Sequence, residues 1–279
     1  MQLYQKESTG ALLNPYLTAH KLWRNRALLR QFTWRTIEMR HKGSLLGMVW
    51  AVLSPLLVLS IYSFVFVTVF DGRFGSNPDE TAWDYTIAIF LGLALMQLFL
   101  ETLTSSSGVI VGNANYVKKV VFPLEILPIS VVGASLFHCS VSIGLVLIAV
   151  LTFGGGLSWT VLWLPFIIVP ILLIACGVAW LLSALGVFLR DLTFVTQFMS
   201  LLFMFLSAVF YPASRIPEEF AFLHANPMLV ALEASRNAVL WHSPPSLGTM
   251  LYLYTVGGTV CIGGYFVFTK LRSAFADVI

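Results

Sequence analysis

Charge is what this sequence has least of. Only 10% of its 279 residues are Asp, Glu, Lys or Arg, against 58% hydrophobic and 14% aromatic. Soluble domains carry about a quarter charged and about half apolar residues, so a water-soluble globular fold is excluded. Cysteine is scarce too. Cys139, Cys176 and Cys261 fall inside apolar runs, fit neither a metal nor a redox spacing, and read as small packing residues. There is no GxxxxGK[ST] phosphate loop, acid pair, metal-ligand cluster or nucleophile beside a base, which leaves a membrane-embedded enzyme without its chemistry. A net charge of +3 gives no reason to expect nucleic acid as a partner. No cleavable signal is expected, because about forty polar and basic residues precede the first apolar run, itself too long for a signal core.

Apolar runs, by contrast, are abundant. At 1.5 Å rise per residue about 20 residues cross about 30 Å of hydrocarbon, and spans are expected at 45–70, 85–104, 129–153, 161–189, 192–211 and 248–269. Between Ile126 and Leu189 no charged residue occurs, and the Gly154, Gly155, Gly156 triplet marks the turn that divides the stretch in two. Pro55 is expected to kink the first span and Gly92 to interrupt the second. The pairs Gly257, Gly258 and Gly263, Gly264 read as helix-packing residues. Of the 16 Lys and Arg, all but Arg73, Arg215 and Arg236 then lie on one side, which puts both termini in the cytoplasm. The fold class is an all-α polytopic membrane protein of six transmembrane helices. Residues 1–42 form its cytoplasmic N-terminus, and 43–279 the transmembrane domain.

Polar stretches carry the functional signals. From Pro15 to Lys42 cations alternate with Leu, Trp and Phe, as in a helix lying along the inner membrane surface; the blander reading is a basic segment that only sets topology. Leu28, Leu29, Phe32 and Met39 share one face and Trp23, Trp34 and Ile37 another, so a kink or two contact surfaces are expected. The insert 112–128 holds Lys118 and Lys119 between two spans, and must face the cytoplasm because each lysine costs about 2.5 to 3.5 kcal/mol at the bilayer centre. Residues 212–247 mix charges and prolines with apolar stretches too short to span, and read as short helices that dip into the outer leaflet and return. Glu101 reads as an interfacial acid satisfied by a partner such as Arg190, with an ion relay as the alternative; His138 stands alone in its span and reads as a buried hydrogen-bonded histidine. Tyr62, Phe66 and Phe70, and Phe194, Phe198 and Phe205, form aromatic stripes that suit either packing or the wall of a sugar pathway.

Taken together, RHKGSLLGMVWAVLSP (40–55), NANYVKKVVFPLEILP (113–128), FLRDL (188–192), FYPASRIPEEFAFLHANPM (210–228) and the ending KLRSAFADVI resemble the permease subunits of ABC-2 type exporters of bacterial polysaccharides. The O-antigen branch is the nearest in pattern, with capsule and teichoic acid permeases as relatives. The resemblance implies a bacterial inner-membrane protein that works as a homodimer, moves a lipid-linked polysaccharide outward, binds no cofactor or metal itself, and borrows ATP and Mg from two separate ATPase subunits. ATPase coupling is implied for Arg24, Arg35 and Arg40 and for Asn113, Asn115, Tyr116, Lys118, Lys119, Phe122, Pro123 and Glu125. A periplasmic gate is implied at Tyr211, Pro212, Arg215, Pro217, Asn226 and Pro227, and the aromatic stripes become channel walls. A secondary transporter or channel, the rival class, would need ion-coupling groups at the midplane, for which only Glu101 and His138 are available.

Overall fold

The computed structural model describes residues 15–69, 81–118 and 122–279, and of residues 15–19, 66 and 67 the backbone alone. Every regular element among the described residues is helical. Helix α1 (Pro15–Arg24) and helix α2 (Arg26–His41) are separated at Asn25, whose φ of −100° breaks the helix and whose side chain donates to the Lys21 carbonyl at 2.9 Å. This is the expected kink. The faces of α2 divide differently from the helical-wheel expectation: Phe32 and Ile37 are buried, whereas Met39 joins Trp23 and Trp34 on the exposed side.

Helix α3 (Trp50–Ser63) is led by a 3-10 turn (Gly47–Val49) and continued by a π-helical stretch (Phe64–Val69). Helix α4 (Ala82–Ser106) is the axis of the bundle. Thr81 opens it: its hydroxyl accepts from the Asp84 amide at 3.2 Å, and the Asp84 carboxylate accepts from the Thr81 amide at 2.9 Å. The loop after α4 contains the short helix α5 (Ala114–Val117), after which come α6 (Ile126–Phe153), α7 (Leu164–Phe188) and α8 (Leu192–Leu206). Turns at Ala213–Arg215 and Glu218–Ala225 lead to α9 (Pro227–Val239), then α10 (Leu247–Leu271) and a final short helix α11 (Phe275–Val278). Apolar on every side, α4 is surrounded by α3, α6, α7, α8 and α9. Contact with α6 decides which face α2 buries, because Gly133 of α6 lets Thr33 approach so closely that a Cβ there would lie 2.8 Å from Thr33 Oγ1.

Four of these helices are long and apolar enough to cross a membrane: α4, α6, α7 with its leading turn, and α10 with its trailing turns. The fourteen residues of α3 and fifteen of α8 each reach only about 22 Å as regular helix. The expected spans therefore resolve into four long helices and two shorter ones. Helix α8 stops at Leu206, short of the expected Tyr211, because Ala208 takes a left-handed φ of 52°. Gly92 does not interrupt α4. It makes room instead: a Cβ there would meet the Arg236 guanidinium at 2.6 Å.

Helices α7 and α10 form the most extensive helix pair. A Cβ at Gly257 would lie 2.9 Å from the Pro170 carbonyl oxygen, and one at Gly264 would overlap the Gly177 carbonyl, while Gly258 and Gly263 face open space. Only half of the expected packing glycines therefore pack. Without a hydrophobic force between helices in lipid, such close backbone approach is a main source of association. Gly264→Val is accordingly expected to destabilise the detergent-purified protein by about 2 to 3 kcal/mol, and Gly263→Val to be near neutral; equal melting temperatures for the two variants would refute the assignment.

Candidate functional site

Two features meet at the end of the bundle where α4 terminates. The first is a packed face made by α2, the loop after α4 and the C-terminal turn. Phe32 meets Tyr116 and Phe122 at ring-centroid distances of 5.3 Å each, and Tyr116 meets Phe122 at 4.6 Å. Arg35 lies over the Phe32 ring at 5.8 Å and donates to the Tyr116 hydroxyl at 3.2 Å. Glu125 is buried, accepts from Arg272 at 2.8 Å, and offers its backbone carbonyl to the Trp180 indole N–H at 3.2 Å. The structure thus gathers Arg35, Tyr116 and Phe122 from the expected set around Phe32, while Glu125 is held separately by Arg272. Asn113 is used internally, donating to the Val109 carbonyl at 2.9 Å. Arg24, Asn115 and Lys118 are exposed and Pro123 half-buried at its edge; Lys119 lies outside the described residues.

The second feature is an ion cluster near the C-terminal end of α4. Arg40 of α2 pairs with Glu101 and lies 3.1 Å from His138 Nδ1, which itself stands 3.1 and 3.2 Å from the two Glu101 carboxylate oxygens. His41 meets His138 edge-on at 5.8 Å, and burial, followed by the neighbouring His138 and Arg40, holds its pKa below the usual value. One expectation changes with this geometry: Glu101 takes Arg40 rather than Arg190. His138 is hydrogen-bonded, as expected, and half-buried. The fold-back of α2 along α6 brings together residues that sequence spacing keeps apart. Among the described residues no group of three or more His, Cys, Asp or Glu is arranged to hold a metal.

At the opposite end lies the expected gate. Tyr211 donates to the Phe205 carbonyl at 2.6 Å, and Tyr211, Arg215 and Pro217 help line a hollow of about 360 Å³. Pro212 is buried, and Pro227 occupies the first turn of α9. Asn226 caps α9 through the Met228 amide at 3.0 Å and donates to the Leu206 carbonyl at 3.2 Å, at the broken end of α8. Arg236, which sequence reasoning placed merely in an outer loop, is fully buried and donates to the carbonyls of Ala88 (3.1 Å), Ala208 (2.9 Å) and Val209 (2.6 Å). Its visible signal was an arginine three residues after Glu233 in an apolar segment.

The aromatic stripes separate. Phe194, Phe198 and Phe205 are 72%, 74% and 51% exposed along α8, an apolar face uncovered in the single chain. Tyr62 instead packs against Phe210 at 5.2 Å; the Phe66 side chain and Phe70 lie outside the described residues.

A bundle of helices long and apolar enough to cross a membrane, with an aromatic and ionic face at one end, is the architecture of a polytopic membrane protein. The chain belongs to the ABC-2 type transporter family, which it matches over residues 27–240. It is 28% identical to an O-antigen export system permease protein RfbA of Klebsiella pneumoniae over 90% of this chain and 95% of that one. A protein of the same name from Myxococcus xanthus is likewise 28% identical, over 93% of this chain and 98% of its own.

Proposed function

We propose that the chain is the transmembrane subunit of an ATP-driven exporter that carries a lipid-linked polysaccharide, O-antigen in the first place, across the bacterial inner membrane. Two copies would form the channel and two separate ATPase subunits would dock beneath them, since the sequence has no phosphate loop of its own. The observation that carries this reading is the single cytoplasmic face built from α2, the loop around α5 and the Arg272 turn. A face so joined can take a push from below as one body. The names of the relatives favour O-antigen over capsule or teichoic acid.

In this reading six segments span the membrane, with both termini inside. The short α3 reaches the required length through the helical turns on either side of it, and α8 through the irregular segment after Leu206. Its buried carbonyls have side-chain donors, the condition for non-helical backbone at membrane depth. ATPase closure presses on Lys118 and its neighbours. Tyr116 and Phe122 pass the displacement to Phe32 of α2, and Arg40 passes it to Glu101 of α4. Helices α3 and α8 then shift, the uncovered Phe194, Phe198 and Phe205 face guides the glycan, and the segment from Tyr211 to Pro227 gates the exit.

Charge reversal at the loop tests the coupling. Lys118→Glu with Lys119→Glu is expected to lower surface polysaccharide on the order of tenfold, about 1.4 kcal/mol of lost coupling, with membrane insertion unchanged. Normal export by the double variant would remove the coupling role.

A further inference from the structure

Four ionisable side chains from three helices share one small space. Arg40 and His41 end α2, Glu101 lies on α4 and His138 on α6, and all four line a hollow of about 260 Å³ that α3 borders with Trp50, Ser54 and Pro55. His138 Nδ1 stands between two rivals, 3.1 Å from the Arg40 guanidinium and 3.1 Å from the Glu101 carboxylate. A guanidinium only donates and an ionised carboxylate only accepts. The neutral ring therefore offers Nδ1 to Arg40 as a lone pair or to Glu101 as an N–H, according to its tautomer. A proton removes the choice. The imidazolium carries an N–H on both nitrogens, so it can only donate to Glu101, and it stands against Arg40 as a second cation.

Arg40 already pairs with Glu101. On acidification that carboxylate faces two cations, and three once His41 is charged as well, since His41 meets His138 edge-on at 5.8 Å. Exposure decides which of them leaves. The Arg40 side chain is 46% exposed and can turn to water, whereas that of His138 is 13% exposed and fixed in α6. Among the described residues no second acid restores the balance. Helices α3, α7 and α8 carry no Asp, Glu, Lys, Arg or His, and α6 adds only the buried Cys139 thiol. Asp84 caps the far end of α4, Glu38 of α2 accepts from Trp34 at 2.5 Å, and Lys42 is exposed. Burial, followed by His138 and Arg40, holds His41 below its ordinary pKa of 6.5, with Glu101 pulling the other way. An undocked α2 thus takes up this proton more readily than a docked one, so docking is fully favoured above pH 6.5 and weakens as the pH falls below it.

We propose that Arg40, His41, Glu101 and His138 form a pH-sensitive latch, which holds the C-terminal end of α2 on α4 and α6 at neutral pH and releases it on acidification. Its consequence for export rests on the exporter reading above, in which Arg40 is the tie between α2 and α4; the latch itself does not.

Hydrogen exchange of the full chain in phosphatidylcholine nanodiscs tests the latch, because histidine is the side chain that titrates between about pH 7.5 and pH 5.5. After correction for intrinsic rates, amides of residues 34–41 should exchange about tenfold faster at the lower pH, the equivalent of one hydrogen bond to a charged group, while those of α10 stay unchanged. His41→Gln with His138→Gln should abolish the difference. His41→Gln alone, at a half-buried residue outside the spans, should reduce it to about threefold, which keeps the test decisive if His138→Gln fails to fold. Equal exchange of wild-type α2 at both pH values, a response kept by the double variant, or loosening of α10 together with α2 would each overturn the latch. In a permease-deficient strain the two proposals separate. Wild-type rescue of surface polysaccharide with an α2 indifferent to pH leaves the exporter standing and removes the latch. Histidine-dependent release of α2 in a chain that rescues no export keeps the latch and removes the exporter.

Discussion

Replacing Arg236 by Met should lower the melting temperature of the purified protein by roughly 10 °C, more than either Gly264→Val or Arg40→Met. Methionine fills much of the same space but donates no hydrogen bond, so the carbonyls of Ala88, Ala208 and Val209 lose their donor in a place closed to water. Breaking a buried charged group's contacts from one side costs about 3 to 5 kcal/mol. The backbone explains why so much depends on one side chain. With Ala208 in the left-handed region α8 cannot continue, and the buried carbonyls of Ala208 and Val209 just past its end need a donor from elsewhere. Arg236→Lys should rescue little, because one ammonium cannot reproduce the planar fork that reaches α4 and the α8 end together. A melting temperature for Arg236→Met within about 2 °C of wild type, on the same scale, would show that these contacts are dispensable.

A second pair of variants should differ in an ordered way. Arg40→Met is expected to cost about 2 to 3 kcal/mol, less than a fully buried pair because Arg40 is half-exposed, and Glu101→Gln less than about 1 kcal/mol. The asymmetry follows from exposure: the Glu101 side chain is 10% exposed and that of Arg40 46%. Without Arg40 a nearly buried carboxylate keeps only His138. Without the carboxylate, Arg40 can turn its head toward water, and a glutamine amide can still bond to His138. Under the proposed coupling route, Arg40→Met should also lower export on the order of tenfold, since α2 loses its ionic tie to α4. Thermal unfolding and surface polysaccharide, measured on both variants, check the order; a Glu101→Gln protein weaker than Arg40→Met would contradict it.

Local chemistry made much of this molecule readable in one dimension. The long uncharged runs required helices, because backbone amides in hydrocarbon must bond within their own segment. Gly154 to Gly156 and the Arg190, Asp191 pair ended them where expected. The roles of Gly257 and Gly264, as against Gly258 and Gly263, depended on which side of α10 meets α7, and no periodicity in a helix apolar all round reports that. Arg35, Tyr116 and Phe122 could be named from their motif, but their union through Phe32 required α2 to fold back beneath the bundle. The same return brought Arg40 to Glu101 and His138. Arg236 is the clearest case of what the sequence alone left open. Its composition says only that a charge lies in an outer segment, whereas the folded chain makes it the donor that ties α4 to the irregular segment after α8. Composition and hydrogen-bond demand thus determined that the chain is helical and where most helices stop. Which polar groups meet was decided only by packing between segments distant in sequence, since a charge in an apolar surrounding takes whatever partner the fold brings within reach.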